Sequence, residues 1–189
     1  MSWHAFVDES ESDRLRDPDT YLLAAAVLGV EDLVATRSAV DGLLLRGQRK
    51  VHWHTESPRR RRTIITAIRA MPVRHLVVVR DGRSGESAER RRRKCLERLL
   101  VELDTMGVER VCLEAREAKQ NSRDLDFVQA MRAARALSSR VRLHHEPGPA
   151  EPLLWLPDAV AGAVTAGRLG DPTYRQTLAS VLHEIQLDP

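Results

Sequence analysis

Two periodicities alternate along the chain. WHAFVD (3–8) and YLLAAAVLG (21–29) are short apolar runs that predict two strands. The polar loop ESESDRLRDPDT joins them and contains the turn signal Asp17-Pro18-Asp19. Residues 31–46 repeat apolar positions at helical spacing, with Glu31 and Asp32 in the first turn, where the helix dipole favours them. RKVHWH (49–54) reads as a third strand. Ser57 and Pro58 then mark the start of a helix, as N-cap and first residue. HLVVVR (75–80) is dense in β-branched residues and predicts a buried strand. A long charged helix over about 86–106 stops at Gly107, followed by a strand at 108–115, a helix at 124–137 and a short strand at 140–146. After the loop PGPAEP, LLWLPDAVAGAVTAGRLG predicts a helix rich in small residues, and a closing helix is expected over about 173–186. Early strands with a short connection suit antiparallel pairing, and later strands separated by helices suit parallel crossovers. The expectation is one α/β domain spanning 1–189, a mixed sheet with helices on both faces.

The bulk numbers narrow this without changing it. A chain of 189 residues, 42% apolar and 30% charged, is long enough for a full core and too apolar to be disordered. Its longest apolar run, YLLAAAVLGV, is far short of the roughly 20 residues a bilayer crossing needs, so no membrane role is expected. The start of the chain lacks the basic and apolar regions of a signal peptide, and a cytoplasmic location is the expectation. Cys95 and Cys112 have no CxxC spacing, which argues for packing cysteines over a disulfide scaffold or zinc ribbon. The net charge of +3 is carried almost wholly by arginine, since Lys50, Lys94 and Lys119 are the only lysines. That permits a nucleic-acid partner, DNA or RNA, without requiring one. A homo-oligomer is left open. There is no glycine-rich phosphate loop, no GxSxG and no Cys–His nucleophile pair.

The chemistry lies in where carboxylates fall. In α/β sheets, sites collect at the carboxyl ends of strands. Asp8 ends the first strand, Asp81 ends HLVVVRD, Glu114 ends VCLE, and Glu56 follows the third. Asp158 stands between Trp155, Leu156 and Val160, where an unpartnered carboxylate is costly to bury. It either caps its own helix at Pro157-Asp158 or faces Asp8 and Glu114 as a metal ligand. Asp158, Gly162, Thr165 and Ala166 share one helical face, and small residues there would let the helix approach the sheet. Converging carboxylates need a cation, and oxygen-only donors select hard ions, Mg²⁺ or Mn²⁺. Two such ions about 3.5–4 Å apart can activate water and stabilise the leaving oxygen in phosphodiester cleavage.

FVDES, YLLAAAVL, KVHWHTES, VCLEARE with a downstream Asp124, and EPLLWLPDAVAGAV occur in an order that resembles the domain of unknown function 3800 family, bacterial proteins with a ribonuclease H-like fold. The resemblance covers about 3 to 167. It implies a mixed five-stranded sheet, three antiparallel strands then two parallel, flanked by helices and here followed by an extra C-terminal helix. It also implies an acidic cluster in which Asp8 matches the first-strand aspartate, Glu114 the later-strand carboxylate and Asp158 the acidic residue of the late helix. Glu56 is similar in place to the first-helix glutamate of ribonuclease H-like nucleases. Where many members have Gly after DES, this chain has Glu11.

The remaining candidates carry bland alternatives. His52 and His54 share a strand face and suit zinc or a substrate phosphate, or they are an ordinary half-buried face. His144 and His145 are adjacent and point to opposite faces. The runs Arg59–Arg62 and Arg90–Arg93 sweep about 300° of a helix, so neither reaches one ligand as a block. The second is expected to be a solvated face paired with glutamates, while Arg59 and its neighbours fall near Glu56. Arg116 either binds phosphate or neutralises Glu114, and Asp124 is expected to cap the next helix. The leading expectation is a metal-dependent nuclease or phosphodiester-processing enzyme. Asp8, Glu114 and Asp158 would hold Mg²⁺ or Mn²⁺, with Glu56 a fourth catalytic carboxylate and Arg116, His52, His54 and Arg59 meeting substrate. The alternatives are an inactive ribonuclease H-like module that binds nucleic acid or protein, and a nuclease of the PIN type, against which the early strand pair argues.

Overall fold

A computed structural model describes residues 2–13 and 15–188. Arg14 of the loop after the first strand lies outside the described residues. Six strands form one sheet in the order β5-β4-β1-β2-β3-β6. Strands β1 (Trp3–Ser10), β2 (Thr20–Gly29) and β3 (Arg74–Asp81) are antiparallel neighbours. β4 (Val108–Glu114) runs parallel to β1, and β5 (Arg142–Glu146) parallel to β4. These five are the expected ribonuclease H-like core, three antiparallel strands and then two parallel.

The sixth strand, β6 (Leu182–Leu187), pairs parallel to β3 where a helix is expected. The closing helix is cut to α6 (Thr173–Thr177), because Tyr174 and Leu178 bury and the chain then extends as LHEIQL along the open β3 edge. The segment 49–54 is also not a strand. β2 and β3 pair directly, leaving no gap for it, and residues 53–55 form a 3₁₀ turn.

Helices cover both faces. Side chains of one parity, including Phe6, Ala24 and Val77, pack with α2 (Pro58–Arg69) and α5 (Trp155–Arg168). Those of the other parity, including Val7, Leu23 and Leu76, pack with α3 (Ala88–Thr105) and α4 (Ala118–Ala133). α1 (Leu33–Asp41) follows β2. Ser57 caps α2 by accepting from the Arg60 N–H, with Pro58 at the first position, as the sequence indicates. Cys95 and Cys112 are buried free thiols on opposite faces of the sheet. Among the described residues no helix is long and apolar enough to cross a membrane.

His75 stands out in β3. It is 2% exposed, and neither ring nitrogen has a hydrogen-bond partner. Burial pushes its pKa down to about 4. A group whose folded pKa lies below its unfolded value of 6.5 destabilises the fold as pH drops, because only the unfolded chain takes up the proton. His75→Leu is therefore expected to raise the urea midpoint, and by more at pH 5 than at pH 8. An equal shift at both pH values would show that His75 does not titrate on unfolding.

Candidate functional site

Strands β1 and β4 are parallel neighbours, with Val7 opposite Leu113, so their carboxyl ends arrive together with Asp8 beside Glu114. Both lie on the parity that faces α5. Helix α5 brings Asp158 to the same cleft, of about 480 Å³, which Lys50, His52, His54 and Arg116 also line. Asp8 is pushed well above the usual carboxylate range, by burial first and then by the charges of Glu114 and Asp158. The three carboxylates predicted to converge are thus electrostatic neighbours.

Asp158 does not cap its own helix. Its Oδ2 accepts the Trp53 N–H at 2.8 Å and lies 3.3 Å from His52 Nδ1. The reason is local. A Cβ at residue 162 would fall 2.2 Å from the Trp53 ring, so the indole seats itself where Gly162 has none. Gly162 is one turn after Asp158 on the same helical face, so the seat that receives Trp53 also delivers its N–H to Asp158. The small face therefore receives the indole, where the sequence suggests close approach to the sheet. Tyr174 meets the indole edge-on at 5.0 Å, and the Arg61 guanidinium lies 4.8 Å from the ring centre. With Val51 and Trp53 buried, His52 and His54 line the cleft although their backbone is not a strand. Their rings stand 5.7 Å apart. The hydrogen bond to Asp158 raises the His52 pKa, and the Asp158 charge adds to this.

Lys50 is the residue that sequence reasoning missed. Its Nζ donates to Glu114 Oε1 at 2.8 Å. Burial opposes its charge, but the Glu114 bond and the charges of Glu114, Asp158 and Asp8 raise its pKa overall. The available signal was its place at the head of KVHWH in a chain with few lysines.

Two expected contributors are elsewhere. Glu56 is 7% exposed, accepts from Gln48 Nε2 at 2.8 Å, lies 3.8 Å from Arg60 Nε and does not line the cleft. It fastens the loop before α2. Arg59 is exposed on α2 and also outside the cleft. Arg116 lines the cleft but turns from Glu114 to Asp124 (3.5 Å), Glu89 (3.7 Å) and Glu9 (3.8 Å).

Glu9 opens the other face. Its Oε2 accepts from Arg92 Nε at 2.5 Å, and Arg92 forks onto both oxygens of Asp124 at 2.6 and 2.9 Å. His145 Nε2 lies 3.1 Å from Asp124, so of the His144–His145 pair only His145 joins this network, while His144 is exposed. Asp124 is therefore no cap: Glu117 caps α4 in a reciprocal pair with Gln120. Nor is the second arginine run a solvated face, since Arg91 and Arg92 are buried. An arginine can be buried where carboxylates accept its planar fork.

As the side chains stand, no three His, Cys, Asp or Glu residues among those described form a ready-made metal cage. The donor chemistry of Asp8, Glu114 and Asp158 nevertheless fits a hard divalent ion: three carboxylates on the wall of an open polar cleft, with the pKa of Asp8 raised by burial and then by the charges of the other two.

No protein-family profile matches the chain, and no curated protein matches it in sequence. Solved structures do match. A chain of the PCNA:RNase HII complex from Archaeoglobus fulgidus superposes with a TM-score of 0.55 at 15% identity, over 89% of this chain and 77% of that one. Ribonuclease H2 from Pyrococcus horikoshii OT3 gives 0.53 at 11% identity, over 88% and 74%. The fold is ribonuclease H-like.

Two outcomes follow from these charges. Burial pushes the Asp124 carboxyl up, but the His145 bond and Arg92 outweigh it and hold its pKa at about 2. Its folded pKa is below the ordinary 3.8, so its stabilisation is full above that value and is lost as pH falls through about 2. Arg92→Met should cost up to about 3–5 kcal/mol at pH 7, because Asp124 stays buried without its bidentate guanidinium and keeps only His145 and Arg116. Urea unfolding across the acid range should show that cost shrinking toward pH 2. Asp8 has the opposite sign. Its raised pKa costs stability from pH 3.8 upward, in full once Asp8 ionises in the fold, so in EDTA Asp8→Asn should melt higher than the parent at pH 7 and no higher below pH 3.8. A lower melting temperature at pH 7 would contradict the repulsion.

Proposed function

We propose that the protein is a metal-dependent nuclease or phosphodiester-processing enzyme that acts on DNA or RNA. The observation that carries this reading is the convergence of Asp8, Glu114 and Asp158 on one open cleft at the carboxyl ends of β1 and β4, in a ribonuclease H-like fold. Asp8, Glu114 and Asp158 would hold Mg²⁺ or Mn²⁺. Such ions, when bound, supply a water of lowered pKa and neutralise charge on the scissile phosphate. The chain's own groups do the rest. His52, 3.3 Å from Asp158, and His54 stand on the cleft wall and can donate to phosphate oxygens. Arg116 presents a guanidinium at the rim, steadied by Glu9, Glu89 and Asp124. Membership of the domain of unknown function 3800 family, which the ordered motifs resemble, accords with this reading and is proposed with it.

A second reading is a non-catalytic ribonuclease H-like module that binds nucleic acid or protein. One observation favours it: the cluster already carries internal partners, Lys50 on Glu114 and the Trp53 N–H on Asp158. Fold alone does not decide activity.

The test is cleavage of labelled single-stranded, duplex and hybrid DNA and RNA with Mn²⁺, Mg²⁺ or EDTA, alongside Asp8→Asn from the same preparation. Metal-dependent cutting that falls by at least about 100-fold in the variant is expected, the loss typical of removing a group that stabilises transition-state charge. Binding of a nucleic acid without cutting in any metal would turn the assignment to the second reading.

A further inference from the structure

We infer that Lys50 is a tethered cation that occupies the carboxylate cluster in the absence of metal and must release Glu114 when a divalent ion binds, so that metal loading is a competition with the protein's own ammonium group. The inference rests on the proposed metal-binding role of Asp8, Glu114 and Asp158.

Three observations support it. First, the contact is direct and half sheltered: Nζ to Oε1 is 2.8 Å, with the two side chains 23% and 24% exposed. Second, the fold makes room for it. At Gly148 a Cβ would stand 2.2 Å from Glu114 Oε1 and 3.0 Å from Lys50 Nζ, so the glycine leaves the backbone room to lie against the pair as it stands. Third, no other cation of the cleft takes this place. Arg116 is turned to Glu9, Glu89 and Asp124, His52 is on Asp158, and among the described residues Lys50 alone is bonded to Glu114. Its charge is felt by Asp8 as well.

An ammonium is a compact point charge on a flexible stem. It can neutralise the cluster without fixing its geometry, and it can swing out when a stronger cation arrives. Released from Glu114, Lys50 stays on the cleft wall, where it can meet a phosphate. The lysine therefore weakens metal binding relative to a bare triad while preventing the empty cluster from repelling itself apart.

The experiment is calorimetric titration of Mn²⁺ into the parent, Lys50→Met and Lys119→Met. Lys119 is exposed on α4 and outside the cleft, so its variant removes the same charge from elsewhere. Thermal melts of all three in EDTA and in saturating Mn²⁺ run alongside. Lys50→Met is expected to bind Mn²⁺ roughly tenfold tighter or more, about 1.4 kcal/mol. It should also melt below the parent in EDTA and gain more from Mn²⁺ than the parent does. Lys119→Met should behave as the parent. If Lys50→Met folds poorly in EDTA, Lys50→Gln, which keeps a polar tip, serves for the titration. Equal Mn²⁺ affinity in the parent and the Lys50 variants would overturn the competition while leaving the metal site standing. Absence of Mn²⁺ binding in every protein would overturn both. A lower melt in EDTA without Mn²⁺ binding would make Lys50 the permanent cation of a metal-free site, against the inference.

Discussion

A β-strand sends consecutive side chains to opposite faces of its sheet, so Asp8 and Glu9 at the end of β1 take different partners although both line the cleft. The structure uses both. Asp8 faces α5 and meets Glu114 and Asp158; Glu9 faces α3 and is gripped by Arg92. Strand alternation thus splits an adjacent acidic pair into a strained cluster on one face and a paired network on the other. The network matters to the cluster because it pins the same strand end. Arg92 joins Glu9 to Asp124 on α4, and Arg116 ties both to the segment following β4. The ends of the two strands that present Asp8 and Glu114 are therefore held from behind by charge-assisted bonds, the stronger class.

The carboxylates at this edge of the sheet differ in what their neighbours leave them. Asp81 at the end of β3 is engaged: Arg168 and Gln186 donate to it, and it shares the Thr20 hydroxyl with Asp17. Glu56 is taken up by Gln48 and Arg60, and Asp124 by Arg92 and His145. Among the described residues Asp8 accepts one hydrogen bond, from the adjacent Glu9 N–H. A carboxylate that folding has satisfied is structural. Three that folding brings together against their mutual repulsion call for positive charge, and here Lys50, bonded to Glu114, supplies one.

Most of the core was legible because its signals are local. The apolar runs of β1, β2, β3 and β4 and the Ser57-Pro58 helix start depend on neighbours in sequence, as does the stop at Gly107, where φ is +80°. The misreadings share a different cause: the deciding partner is distant in sequence. VHWH alternates like a strand, yet what places it is Gly162, more than a hundred residues on. LHEIQL was hidden in an apparent helix because the empty β3 edge it joins is visible only after folding. Buried Arg92 and uncapped Asp124 each look ordinary alone, and only their pairing across two helices explains either. The cluster's members were legible one by one, Asp8 and Glu114 as strand ends and Asp158 as a carboxylate among apolar neighbours. Its counter-charge was not, since nothing in sequence aims Lys50 at Glu114.

Helix α5 shows how the cleft is kept open and in register at once. Near its start, Asp158 binds the backbone of the 52–53 segment. At its end, Arg168 forks onto Asp17 at 2.7 and 3.1 Å and onto Asp81 at 2.6 Å. Ten residues of helix span about 15 Å, so one rigid element fixes the loop carrying Lys50 and the histidines relative to the loop that leaves β1. Burial opposes ionisation of Asp17, but Arg168 outweighs it, with help from Thr20 and Ser12, and holds the carboxyl at about 2. That end of the bar therefore stays charged and closed across the neutral range. The end at Asp158 differs: one backbone N–H and one imidazole meet the same oxygen, Oδ2, of a carboxylate that lines the cleft. The helix is anchored at the end remote from the cluster and left chemically available at the end that faces it.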